Sequence, residues 1–386
     1  MKKLVVFPTD PLIVYKKKGE IKERYFNPKN FFDEIHVIDV SFQELSDSDK
    51  KEISNLAGSK KLVVHYFHSD GKIQSMLLKK VILDKVREIQ PDCIRAYGVF
   101  IEGYLASYCA KKLNVPFVLS VHGNYNHHKY LVMRKENFFL GLFHWTFILL
   151  YLHRIVKQAS EVIYVYKQAL GTTKNLTEKN HQHIIYNKVF FKHSYTHNIY
   201  SDKRHKIFTM IYIGNFYKVK NQKFLLEVIK PLDIKLILVG KGHTRKPLME
   251  YVEKTPELRG KVTFVEAVTN KDLPKYYSMA DCLISATLIQ EIGIPVIEAM
   301  ACGLPILHRK PFKGENLDPV FNAMYLIDFN VEAFRKAIRY FKSHPKALKE
   351  YSKKSVDMFE NIRGDKMEAK EEKIYHNLLK KIKIII

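Results

Sequence analysis

Cysteine is scarce in this chain of 386 residues: Cys93, Cys109, Cys282 and Cys302 lie far apart, and no two stand as C-x-x-C. That spacing excludes a disulfide scaffold and a cysteine-ligated zinc site, and it fits a reducing compartment. Acidic residues are also few, 40 against 64 lysines and arginines, which leaves a formal charge of +24. Long apolar runs are missing as well. Before Pro8 the N-terminus offers only Leu4 to Phe7, short of the roughly 7–15 residues of a secretory core, so this run is expected to be a buried first strand. No stretch reaches the ~18–20 apolar residues of a membrane span. Phe138 to Leu152 comes nearest, closed by His153 and Arg154. It reads first as a buried helix of the first domain. The other reading is a helix lying in a bilayer surface, with His127, His128, Lys129, Arg134 and Lys135 as its basic flank.

A charge of this size asks for an anionic partner: phosphate-rich ligands, anionic lipid or nucleic acid. The lysines are spread from Lys16-Lys17-Lys18 to Lys380-Lys381, with no arginine-rich tail, zinc-finger spacing or aromatic RNA-binding motif. Nucleic acid is therefore set aside. An anionic membrane surface fits better, for a cytoplasmic protein peripheral to a membrane, although a lysine-rich coding bias would produce much of the same charge.

Short apolar runs alternate with longer amphipathic segments, the pattern of βαβ units around a parallel sheet. Strands are predicted at Leu4–Phe7, His36–Val40, Leu62–His65, Cys93–Ala96, Phe117–Ser120 and Val162–Val165. Helices are predicted at Ile73–Ile89 and Phe100–Leu113. In the second half the strands are Phe208–Ile213, Lys235–Val239, Val262–Val265, Asp281–Ser285 and Pro305–Leu307, separated by helices near Asn221–Ile229, Lys246–Lys254, Asp272–Met279 and Val296–Ala301. The expected organisation is a first domain over 1–190, a polar linker over 191–206, a second domain over 207–365 and a closing helix over 366–386 that packs back on the first domain. Both domains are read as doubly wound α/β domains of Rossmann type facing across a cleft, with ligands beyond the carboxyl ends of the strands.

The stretch Ala280 to Leu307, ADCLISATLIQEIGIPVIEAMACGLPIL, carries the most chemistry. A buried strand leads into a loop with Thr287, Gln290 and Glu291, and then into a helix. Gly293 is expected to allow a tight turn, Pro295 suits the first helical position, and Gly303 with Pro305 ends the helix. Free N–H groups at that helix start suit a phosphate. Glu298, placed in the first turn, either favours the helix dipole or grips vicinal hydroxyls. His122 ends an apolar strand beside Gly123, as an active-site group or a structural histidine. The G-x-G of Gly240 and Gly242 has Arg245 where a dinucleotide fingerprint needs a third glycine, so hydride transfer is not supported. Asp47-Ser48-Asp49 lies in a polar Ser/Asp/Lys stretch and reads as a solvated loop, not as a metal site.

The same stretch resembles the donor-binding segment of glycosyltransferase family 4, the retaining GT-B enzymes: Glu298-Ala299-Met300-Ala301-Cys302-Gly303-Leu304-Pro305 follows the family pattern position by position. Ile211–Asn215 with Lys220-Asn221, Leu236–Gly242, Val262–Ala267, Ser120-Val121-His122-Gly123 and Ile185-Tyr186-Asn187 fall in family order. The resemblance implies a transferase that moves a sugar from a nucleotide-diphosphate sugar, UDP- or GDP-linked, to a glycan, lipid-linked or small-molecule acceptor, with retention and with neither metal nor cofactor. It implies donor binding by Gly19, Asn215, Lys220, Gly293, Ile294, Pro295 and Glu298. The reacting centre would hold His122, Gln290 and Glu291. Two positions depart from the pattern. The family's first glutamate is Gln290 here, with Glu291 one place late, and the arginine of its phosphate pair is Asn215, with Lys220 kept and Lys218 near. A nucleotide-binding relic without turnover, or another GT-B enzyme such as a sugar-nucleotide epimerase, is the alternative these departures leave open.

Overall fold

The computed structural model describes residues 1–19, 21–125, 135, 137–173, 175–176, 178–190, 206–270, 272–289, 291–311 and 318–385. Gln290, most of the 191–206 linker, and His127, His128, Lys129 and Arg134 lie outside the described residues. The described residues of Met1–Lys129, Leu140–Lys188 and Asp365–Ile386 form one compact unit; those of Val189–Gly364, with Tyr130–Phe139, form a second.

The first unit is built on a parallel seven-stranded sheet: β1 (Lys3–Phe7), β2 (Glu34–Ser41), β3 (Lys61–His68), β4 (Cys93–Ala96), β5 (Phe117–Val121), β6 (Glu161–Tyr164) and β7 (Gln182–Ile184). Their spatial order is β3-β2-β1-β4-β5-β6-β7, so the winding direction reverses between β1 and β4. Leu4, Val5, Val6, Cys93, Ile94, Phe117, Val118 and Leu119 are fully buried, as continuous apolar strands covered on both faces must be. The closing helix Gly364–Ile385 belongs to this unit from Asp365 on. It buries Met367, Glu368, Glu371, Ile374, Tyr375 and Leu378 at helical spacing.

The second unit holds a parallel six-stranded sheet, β8 (Thr209–Ile213), β9 (Lys235–Val239), β10 (Val262–Val265), β11 (Cys282–Ser285), β12 (Ile306–Arg309) and β13 (Tyr325–Ile327), in the order β10-β9-β8-β11-β12-β13. Its reversal lies between β8 and β11, which pair through Cys282–Met210 and Leu283–Ile211. In open α/β sheets that reversal opens a crevice at the carboxyl ends of the two strands.

Several expectations need correction. The helix predicted at Ile73–Ile89 is two helices, Lys72–Leu77 and Lys79–Ile89, broken at Leu78. No helix was expected around Gly19, yet Leu12–Lys18 is helical because Leu12, Ile13 and Tyr15 bury one face, and Gly19 ends the helix at φ 68° with its N–H on the Lys16 carbonyl. Asp47-Ser48-Asp49 opens the helix Asp47–Ile53, where Ser46 and Asp49 form a reciprocal capping box. The edge strands β7 and β13 were not expected; each has three residues, too few for a period to show.

The largest correction concerns Phe138–Leu152. This run extends as one helix of 21 residues to Gln158, through a wider π turn at Ile148–Leu152, and is long and apolar enough to cross a bilayer by length and composition. It is not a buried helix. Phe147, Leu152, Ile155 and Val156 face inward, whereas Phe139 is 79% exposed, Leu149 69% and Leu150 58%.

Candidate active site

The second unit gathers most of the residues singled out in the sequence around the β8–β11 reversal. After β8 the chain turns at Gly214 (φ 152°), and the loop after β9 comes against it at Gly240 (φ 142°) and Gly242 (φ 149°). A β-carbon on Gly240 would stand 2.1 Å from the Gly214 carbonyl oxygen, and one on Gly242 2.4 Å from that of Phe216. Only glycine permits this approach, and it lets the Phe216 N–H bond the Lys241 carbonyl at 2.9 Å. The G-x-G of this chain therefore fastens one loop to another.

Asn215 is exposed at that turn, and its carbonyl accepts from the Gln222 side chain at 2.8 Å. The short turn Lys218–Lys220 follows and is laced to the loop after β11: the Leu288 N–H bonds the Val219 carbonyl at 2.8 Å, and Asn221 Nδ2 donates to the Ala286 carbonyl at 3.2 Å. Arg309, 1% exposed, spends its guanidinium on the carbonyls of Thr287, Leu288 and Lys310. This buried arginine had no signal in the sequence; it holds the loop that presents Glu291.

Lys220 and Glu291 meet there in an ion pair, both partly exposed. The glutamate that stands one place late in the family pattern is thus within reach of the phosphate-type lysine. His308 lies near the pair, and burial pushes its imidazole down to about 4, so it is neutral at pH 7.

The helix Ile294–Ala301 begins beside them, with Gly293 as its N-cap. Pro295 is its second residue rather than its first. Gly293 has φ −65° and ψ 150°, a conformation open to any residue, so the expected tight turn is not what requires glycine. A β-carbon there would meet only Pro295 Cδ at 3.6 Å, which leaves the helix start open to approach. Glu298 is the fifth helical residue, past the first turn, and 3% exposed. Its Oε2 accepts from the Tyr277 hydroxyl at 2.9 Å, and that hydroxyl also lies 3.1 Å from the Pro295 carbonyl.

In the first unit His122 follows β5. Its Nε2 is buried with no hydrogen-bond partner, and burial, with the nearby Arg95 cation, pushes its pKa down to about 4. Gly19 is not among the residues lining the cavity of about 320 Å³ at the β1–β4 reversal, where Asp10, Asp39, Lys72, Phe100 and Glu102 stand. Burial pushes Asp39 up to about 6 and Glu102 to about 7. Sequence reasoning missed this cavity because its acids come from three separate segments, the loop after β1, the strand β2 and the helix Ile101–Leu113. No group of three or more metal-type side chains occurs among the described residues.

Residues 199–358 match the family described as glycosyl transferases group 1. The N-acetyl-alpha-D-glucosaminyl L-malate synthase of Bacillus anthracis is 24% identical over 58% of this chain and 61% of its own length. The alpha-monoglucosyldiacylglycerol synthase of Acholeplasma laidlawii is 23% identical over 64% of each chain. The match thus spans less than two thirds of these curated relatives. Among solved structures, Anabaena Alr3699/HepE in complex with UDP superposes with a TM-score of 0.70 at 14% identity, covering 98% of this chain and 100% of that one. Sucrose-phosphate synthase from Thermosynechococcus elongatus gives 0.72 at 12% identity, covering 98% and 99%. The fold is that of the GT-B glycosyltransferases, and the segment that matches the glycosyl transferases group 1 family lies on the second unit.

Proposed function

We propose that this protein transfers a sugar from a UDP- or GDP-linked donor to a hydroxyl of a glycan or lipid-linked acceptor, with retention. One observation carries the reading: Lys220, Glu291, the open helix start at Gly293 and Glu298 converge at one sheet reversal. Glu298 takes the ribose hydroxyls, while Lys220 and the N–H groups from Gly293 to Pro295 take the diphosphate. As the bond from the anomeric carbon to the phosphate oxygen breaks, negative charge grows on the diphosphate, and these preorganised donors stabilise it without a metal. The acceptor hydroxyl attacks from the face the diphosphate leaves and gives its proton to the departing phosphate, so no protein nucleophile is needed. Glu291 is freed from Lys220 as the phosphate arrives and is then available to the sugar. Asn215 lines the phosphate turn in place of an arginine. The UDP and UDP-glucose complexes of the HepE structure support a uridine donor.

A binding and hydrolysis screen of UDP-, GDP- and ADP-sugars tests this. One nucleotide should bind, with slow release of its sugar. Gly293→Ala should leave the melting temperature unchanged, because the position tolerates a β-carbon, and should weaken donor binding about 10-fold, since a methyl group there blocks phosphate approach to the helix N–H groups. Donor binding unaffected by this methyl would remove the helix start from the site.

We also propose that the helix Phe138–Gln158 rests on an anionic membrane. Its exposed Phe139, Trp145, Leu149 and Leu150 would enter the acyl boundary, while His153, Arg154 and Lys157 on its last turns meet lipid phosphates. Replacing those four apolar residues by serine should abolish cosedimentation with phosphatidylglycerol vesicles. Undiminished cosedimentation would rule out this face as the contact.

A further inference from the structure

Four buried side-chain atoms without a hydrogen-bond partner occur on two short segments of the first unit: His122 Nε2, Asn124 Oδ1, and both Oε1 and Nε2 of Gln168. Gln168 itself is 5% exposed. The segments follow β5 and β6 and are tied side by side. The Tyr166 hydroxyl donates to the His122 carbonyl at 3.0 Å, the Tyr125 N–H bonds Thr172 Oγ1 at 2.8 Å, and Thr172 Oγ1 donates to the Gly123 carbonyl at 3.3 Å. Asn124 lies directly over Gly171, where a β-carbon would come within 2.9 Å of its Nδ2. A buried polar atom left unpaired keeps its full desolvation penalty, and native proteins hold few of them. A cluster at strand ends of a doubly wound sheet is where a ligand supplies the missing partners.

The chemistry of the set narrows the ligand. His122 is neutral at pH 7, and the amides of Asn124 and Gln168 carry no charge. The free atoms comprise two carbonyl oxygens that only accept, one amide nitrogen that only donates, and an imidazole nitrogen that does either with its tautomer. A carboxylate or phosphate would meet two lone-pair oxygens of its own sign. A hydroxyl both donates and accepts, so it can satisfy both ends of the Gln168 amide. Arg95, the cation near His122, has Nη2 3.4 Å from Glu371, and its Nε and Nη1 are likewise buried without a hydrogen-bond partner, two further donors for a hydroxyl oxygen.

We infer that Asn124 and Gln168, with His122, form a subsite for the hydroxyl groups of a pyranose ring, in which Gln168 selects the sugar. The inference rests on the transferase reading for its role in catalysis but not for its binding chemistry. Saturation-transfer NMR on the full chain tests it with the methyl α-glycosides of glucose, galactose, mannose and N-acetylglucosamine, and separately with UDP-glucose. At least one pyranose should receive saturation from the wild type and lose it in Gln168→Leu and Asn124→Leu. The melting temperature should hold or rise, since each change removes an unpaired buried group. A residue kept only for packing would not combine retained stability with lost sugar contact. If leucine perturbs packing, Gln168→Met keeps the length of the side chain and must lose the same signal.

Loss confined to the methyl glycosides assigns the subsite to an acceptor sugar. Loss of the glucosyl protons of UDP-glucose, with the uridine protons still saturated, assigns it to the donor sugar. The uridine signal reports the second unit alone, so its absence from the wild type would count against the donor reading and leave the subsite standing. No saturated pyranose in the wild type, or equal saturation in the variants, would overturn the subsite.

Discussion

Glu298→Ala is expected to weaken nucleotide-sugar binding roughly 100-fold and to abolish detectable turnover, with little change in stability. Hydrogen bonds to a charged group contribute about 1.5–3 kcal/mol each when their partner would otherwise go unpaired, and a carboxylate on two vicinal hydroxyls makes two of them. One protein partner of the carboxylate is the Tyr277 hydroxyl, which retains the Pro295 carbonyl 3.1 Å away once Glu298 is gone. The competing role, a carboxylate placed to favour the helix dipole, is weakened by its position: Glu298 is the fifth residue of Ile294–Ala301, and the dipole effect fades within the first turn. Calorimetric titration of UDP and UDP-glucose into the wild type and the variant separates the two roles. A variant that binds as tightly as the wild type would leave Glu298 with a structural role only. Tyr277→Phe should cost less, about 10-fold, because it removes only the group that orients the carboxylate.

What could be read in the sequence was what neighbours in the chain decide. The strands other than β7 and β13 are mostly runs of Val, Ile, Leu and Phe, and their ends were placed within about three residues because burial needs continuous apolar sequence. The helix after β11 was legible from Pro295, Gly303 and Pro305, which mark a start and a stop by their own backbone geometry. Pairings across the chain were not legible. Lys220 and Glu291 are 71 positions apart, and nothing local to either predicts their contact. Gln168 looks like any polar residue of a turn until its burial is known.

Exposure was the other blind spot. Phe138–Leu152 has the composition of a core helix, and composition does not say what covers a face. The helix Leu12–Lys18 was missed for the opposite reason: three consecutive lysines hide a single buried turn made by Leu12, Ile13 and Tyr15. At Gly293 the expected tight turn is not what the backbone shows. Its backbone would suit any residue, so glycine is explained by the open space beside it.

Glu371→Ala is expected to lower the stability of the first unit by about 3–5 kcal/mol, the cost of breaking a buried ion pair from one side. The Glu371 carboxylate lies 3.0 Å from Lys188 Nζ and 3.4 Å from Arg95 Nη2, and the three side chains are 4%, 7% and 2% exposed. Arg95 Nη2 also donates to Ser120 Oγ at 2.7 Å, so the cluster joins β4, β5, the end of the first unit's main segment and the closing helix. Alanine would leave two buried cations facing each other with no counter-charge. Burial alone would raise the Glu371 pKa, but Lys188 and Arg95 together more than reverse this and hold it below the usual carboxylate range. The sign of the pH dependence follows. The stabilisation is present above the unfolded pKa of about 4.3 and is lost as pH falls through the lower folded value. Urea unfolding at pH 7 and at pH 3 measures both effects. The gap between wild type and Glu371→Ala should be wide at pH 7 and narrower at pH 3. A gap below about 1 kcal/mol at pH 7 would mean that water reaches the cluster, since exposed pairs contribute no more than that. The closing helix would then be held to the first unit by Met367, Ile374, Tyr375 and Leu378 and by the contacts of Glu368 with Arg24 and Lys29.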